Sequence, residues 1–115
     1  MRTSVLALAA LTTVLGSSAA AAASFNCARA AALDQRTICA DRLLNDQDVR
    51  MAVMLDISRR FLAMGRRGQL DDEQTDWLRG RRACGANKQC LAAAYAHRIA
   101  RLQEILDEVA RQGPF

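Results

Sequence analysis

The chain has 115 residues, a net charge of +4, four cysteines and only 4% aromatic residues. That length suffices for one small domain whose hydrophobic core is marginal on its own, so extra fastening is expected. Sixteen Lys and Arg interspersed with 12 Asp and Glu, with few rings on which bases could stack, argue against nucleic acid as a partner.

The first element is MRTSVLALAALTTVLGSSAAAAAS, with Arg2 near the start, an apolar run over residues 5–15 and then small residues. The run is shorter than the roughly 20 residues of a bilayer span, and the small residues suit a signal peptidase. Residues 1–23 are therefore expected to be a signal peptide cut after Ala23, leaving a mature domain over residues 24–115. Cys27 follows Ser24, Phe25 and Asn26 rather than standing in a lipid-attachment motif, so the mature form is expected to carry no membrane anchor. The predicted location is periplasmic or secreted.

Strand signals are nearly absent, and the rest reads as an all-α bundle of about four helices, a short first one and three longer ones. Residues 28–41 are helix-prone but weakly amphipathic; residues 26–31 are expected to fold back along a short helix beginning near Leu33. From Val49 onward, Ala52, Val53, Ile57, Phe61 and Met64 recur at helical spacing, with Leu55 and Leu62 widening the stripe. Asn45 or Asp46 is the expected cap. The segment Gly65-Arg66-Arg67-Gly68 reads as a turn after this helix.

In LDDEQTDWLRGRR, Asp71 precedes Gln74 by three residues, a capping-box pattern, while Arg79, Arg81 and Arg82 gather at the other end to complement the helix dipole. Trp77 and Leu78 are expected to face the core. Gly85 is the expected stop. Asn87 then caps a last helix whose apolar seam is Leu91, Tyr95, Ile99, Leu102, Leu106 and Val109, ending at Gly113-Pro114.

The cysteines fall within this frame as Cys27, Cys39, Cys84 and Cys90. Zinc sites favour close C-x-x-C pairs joined by further Cys or His, whereas here the spacings are eleven and five residues with His97 alone, so no metal or other cofactor is expected. A thioredoxin-like couple lacks both its spacing and its strands. Disulfides suit an exported chain with an even number of thiols. An unbroken helix from Cys27 to Cys39 would part them by about 18 Å, so the chain must bend between them if they pair. Geometry favours Cys27 with Cys39 and Cys84 with Cys90.

The runs S-F-N-C-A-R-A at residues 24–30, I-C-A-D at 38–41, Q-x-x-W-L-x-x-R-x-x-C-G at 74–85 and C-L-x-x-x-Y-x-x-R-I-x-x-L at 90–102 resemble the LprI-type lysozyme inhibitor N-terminal domain family. The resemblance spans nearly the whole of residues 24–115. It implies a small exported helical domain, and the family has a named member that inhibits lysozyme.

No enzyme is expected, because the acids of DDEQTD are accounted for as a helix start and His97 has no nucleophile beside it once the thiols are oxidised. The first expectation is a lysozyme-inhibitor-like binding module acting by occlusion on a protein partner. Arg66, Arg67 and Lys88, expected in turns, are its candidate contacts, able to pair with the carboxylates of a glycosidase cleft. The alternative is an envelope interaction domain that binds an acidic protein partner or an anionic envelope polymer through an Arg-rich face.

Overall fold

The structure, a computed structural model, describes residues 24–113. The expected signal peptide, residues 1–23, and Pro114 lie outside the described residues. Among the described residues a 3-10 turn, Cys27–Arg29, precedes four helices: α1 (Leu33–Ala40), α2 (Arg42–Phe61), α3 (Met64–Ala83) and α4 (Lys88–Arg111). The fold is an all-α bundle stapled by two disulfides, Cys27–Cys39 and Cys84–Cys90.

The entry to the domain is bent as the cysteine spacing requires. Asn26 accepts a hydrogen bond from the amide of Ala28 at 2.9 Å and caps the 3-10 turn. The chain then reverses so that Cys27 and Cys39 stand 5.8 Å apart between Cα atoms, within ordinary disulfide reach. One residue separates α1 from α2. Asp41 ends the first helix with an extended backbone and caps the second through a 3.1 Å bond from the amide of Leu44. The expected cap at Asn45 or Asp46 is thus corrected: the helix starts a full turn earlier.

The predicted turn at residues 65–68 is helical instead, because α3 begins at Met64 immediately after Leu62 and Ala63. Two glycines in a helix cost about 1 kcal/mol each relative to Ala. Tertiary contacts offset this: Arg66 makes a two-pronged bond to Glu108 of α4 at 3.0 and 2.8 Å, and Leu70 is fully buried one turn on. Asp71, Asp72 and Glu73 therefore stand inside α3 rather than at its start. Asp71 pairs with Arg59 of α2 at 2.6 Å and Glu73 with Arg101 of α4 at 3.1 Å, so these acids tie helices together instead of complementing a dipole.

The second corner follows the sequence closely. Cys84 closes α3, Gly85 takes the left-handed conformation with φ +56°, and Asn87 accepts from the amide of Cys90 at 3.0 Å. The disulfide spans this corner with a Cα separation of 5.5 Å. Each such local bridge removes about 2 to 3 kcal/mol of unfolded-state entropy in the chain-entropy account.

The core lies mainly between α2 and α4, the largest interface, with α1 packed across α2 and α3. From α4 come Leu91, Tyr95, Leu102, Ile105 and Val109, with Ile99 and Leu106 partly buried, as the apolar seam predicts. The face of α2 is only partly the predicted one: Leu55 and Leu62 are buried as expected, but Met64 opens α3 and is exposed, and most of the rest of the stripe turns outward. Leu44, Met51, Met54 and Leu55 point inward, whereas Val49, Val53, Ile57 and Phe61 are exposed. Asp48 and Ser58 share the inward face and are fully buried, which breaks the apolar pattern that would have marked it. Leu78, too, is 38% exposed, while Trp77 packs against the core as expected.

The orientation of α2 is checked by paired substitutions measured in urea with both disulfides intact. Leu55→Ala should cost about 2 to 5 kcal/mol, and Val53→Ser, on the outward side, no more than about 0.5 kcal/mol.

Candidate interaction surface

Beneath the surface, four helices each send one polar side chain to a common point. Arg81 of α3 donates through Nε to Asp34 of α1 at 2.9 Å and lies 3.6 Å from Asp48 of α2 through a terminal nitrogen. Tyr95 of α4 donates its hydroxyl to Asp48 at 2.7 Å and accepts a long bond from Arg81 at 3.5 Å. All four residues are at most 5% exposed. The guanidinium is further enclosed by the rings of Phe25 and Trp77, at 5.3 and 5.6 Å, contacts that favour a cation. Burial, and then the charge of Asp48, push the Tyr95 phenol well above its ordinary range, so it remains a donor.

A second polar group lies beside the first. Arg98 of α4 donates to Gln74 of α3 at 2.8 Å and reaches Glu73 at 3.4 Å. The hydrogen bond from Arg101 holds Glu73 below the ordinary carboxylate range, with Arg98 adding to it, while burial pulls the Arg98 guanidinium below its usual value. These groups connect α3 to α4 along their length.

Between α2 and α3, a cleft of about 470 Å³ is lined in part by the buried arginine. Its wall includes Ala52, Leu55 and Arg59 on α2 and Leu78, Arg81 and Arg82 on α3. Arg59 is engaged by Asp71. Arg82 is exposed and makes no ion pair among the described residues. Ala52 stands one turn from Val49, so the apolar outer face of α2 continues from the lip of the cleft. Val49, Val53 and Ile57 on that face are 38%, 51% and 37% exposed. An arginine without an internal partner beside apolar side chains is chemistry suited to holding a carboxylate-bearing surface.

The residues singled out from the sequence are placed differently. Arg66 and Arg67 sit in the first turn of α3, not in a loop. Arg66 is held by Glu108, and Arg67 reaches the carbonyl oxygen of Leu62 at 3.4 Å. Lys88 is the first residue of α4 and pairs with Asp41 at 3.1 Å. The hydrogen bond from the Leu44 amide, followed by that from Lys88, holds Asp41 below its ordinary value. These three cations thus knit element ends together. Cys27, Cys39, Cys84 and Cys90 form the two expected bridges. His97 is exposed on α4.

Asp34 and Asp48 are not singled out by the sequence, and Gln74, expected in a capping box, instead accepts from Arg98 inside α3. The one signal for Asp48 is register: it falls in step with Leu44, Met51 and Leu55, a position where an unpaired carboxylate would be too costly to tolerate. Among the described residues, no group of three or more His, Cys, Asp or Glu side chains is arranged to hold a metal ion, and no helix is long and apolar enough to cross a membrane. Compared with known proteins, the chain matches no family model, no curated protein and no solved structure.

Two measurements test this interior. Tyr95→Phe should lower stability by about 1.5 to 3 kcal/mol in urea, since Asp48 loses a donor and nothing replaces it. Glu73 is depressed in the folded state, so its contribution is present above its unfolded value of about 4.3 and is lost as pH falls through the lower folded one. Glu73→Gln should flatten the fall in melting temperature across that acid window.

Proposed function

We propose that this is an exported, lysozyme-inhibitor-like binding module that works by occlusion, and that it meets its partner with the cleft between α2 and α3 and the apolar face of α2 beside it. The observation that carries the reading is the juxtaposition of Arg82, exposed and without an ion pair among the described residues, with the exposed Leu78, Val53 and Ile57. Glycosidases of the lysozyme type work with paired carboxylates, and an arginine offers such a group two parallel donors. The apolar side chains would exclude water around that contact. The resemblance to the LprI-type family supports the same reading, and two disulfides suit an oxidising compartment outside the cytoplasm, periplasmic or secreted.

Arg29, Arg36, Arg42 and Arg50 are also exposed without ion pairs among the described residues. They favour the second reading, an envelope domain that binds an acidic protein or an anionic polymer chiefly by charge. Salt separates the two: charge-led binding weakens steeply with ionic strength, whereas occlusion with an apolar centre weakens less.

The direct test is the turbidity of a bacterial cell-wall suspension lysed by lysozyme with purified residues 24–115 added. Inhibition should appear and persist at moderate salt. Arg82→Glu and Val53→Asp should each weaken it at least about tenfold, the loss expected when a buried interface contact becomes repulsive or polar, without lowering the melting temperature. Unchanged lysis at large molar excess would remove the inhibitor reading.

A further inference from the structure

The buried cluster has an unbalanced charge. Asp34 and Asp48 are 1% and 0% exposed, and among the described residues only one cation, Arg81, touches them; Tyr95 stays neutral. A buried carboxylate without a matching cation is strongly unfavourable. Arg59 and Arg82 border the same cleft, but Arg59 is paired with Asp71 and Arg82 forms no ion pair to Asp34 or Asp48. Ser24 also reaches Asp48. Its hydroxyl lies 2.6 Å from both carboxylate oxygens, and its backbone nitrogen donates to Oδ2 at 3.2 Å.

Ser24 is also the residue that follows the small-residue run A-A-A at positions 21–23, where a signal peptidase would cut. We propose that hydrolysis of the Ala23–Ser24 bond turns this backbone nitrogen into the missing cation, so that the new amino terminus forms an ion pair with Asp48. Water adds across the peptide bond: its hydroxyl goes to the carbonyl carbon of Ala23, and a hydrogen goes to the nitrogen of Ser24. At neutral pH the products are a carboxylate on the released leader and an ammonium on Ser24. The co-reactant is water and the catalyst an export-associated peptidase.

The surroundings hold the terminus for this task. The Cys27–Cys39 disulfide fixes the chain three residues downstream, and the ring of Phe25 lies on the Arg81 guanidinium. Export would then complete the core in the mature form alone, and the uncut precursor would lack one ion of the cluster. The sign of the pH effect follows. An amino terminus ordinarily titrates near 7.7–8.0, and a carboxylate partner raises that value in the folded state. Its contribution is therefore whole below about pH 8 and is lost as pH rises through the raised folded value.

The test uses the full chain, exported with its own leader from a bacterial host and recovered from the periplasm. Intact mass identifies the first residue, and the rate of reaction with an amine reagent across pH gives the titration of the terminus. Lys88 is the one other primary amine in residues 24–115, and peptide mass separates the two products. The expected result is a chain beginning at Ser24 whose amine titrates at least about one unit above the ordinary value, a tenfold effect. Asp48→Asn should return it to the ordinary range, whereas Ser24→Ala, which keeps the amine, should retain the shift. A first residue other than Ser24 would overturn the cleavage site and, with it, the reading of residues 1–23. A chain that does begin at Ser24 but has an ordinary amine would overturn the ion pair alone, and this wild-type titration decides the matter even where Asp48→Asn does not fold.

Discussion

One guanidinium organises this bundle. Arg81 is buried, and it is tolerable there only because Asp34, Asp48 and the Tyr95 hydroxyl reach it from three other helices. Asp48 must therefore face inward, which turns α2 so that Leu44, Met51 and Leu55 pack and Val49, Val53 and Ile57 are left outside. The same arrangement holds Arg81 at the floor of the cleft between α2 and α3. The proposed binding surface is thus a consequence of where the polar interior sits.

The disulfides and the polar cluster do different work. The bridges close sequence separations of 12 and 6 residues and fasten local corners. By contrast, the bonds from Arg81 to Asp34 and from Tyr95 to Asp48 each join residues 47 apart. Crosslinks over short loops act mainly on the unfolded chain. They leave open which helix faces meet; the buried hydrogen bonds decide that, because a misregistered helix would strand a charge in the core. Along the outside, Arg66 with Glu108, Arg59 with Asp71 and Lys88 with Asp41 close the remaining seams. Solvent screens these partly exposed pairs, so each adds little beside the buried bonds.

What was legible in the sequence was whatever local chemistry determines. The Asn87 cap, the Gly85 stop, the α4 seam and both sulfur pairings need only neighbouring residues and simple reach, and the structure agrees with them. The face of α2 is only half legible because two stripes compete on it: Leu55 and Leu62 are buried as expected, but the rest of the apolar-looking stripe gives way to one interrupted by Asp48 and Ser58. The supposed turn at Gly65 and Gly68 failed for a related reason: the helix propensity of glycine is a small term, and the contact of Arg66 with Glu108 lies 42 residues away. The surface proposed at Arg82 is not legible in the chain alone, since nothing local distinguishes Arg82 from Arg66, which is paired with Glu108.

Asp34 and Arg81 are coupled through the core and not merely adjacent. A double-mutant cycle on the mature domain, combining Asp34→Asn with Arg81→Met and following urea unfolding with disulfides intact, measures that coupling. An interaction energy of about 2 to 3 kcal/mol is expected, at the upper end for residues in one buried network. Effects that add to within about 0.5 kcal/mol would contradict it and reduce the cluster to four independently placed side chains.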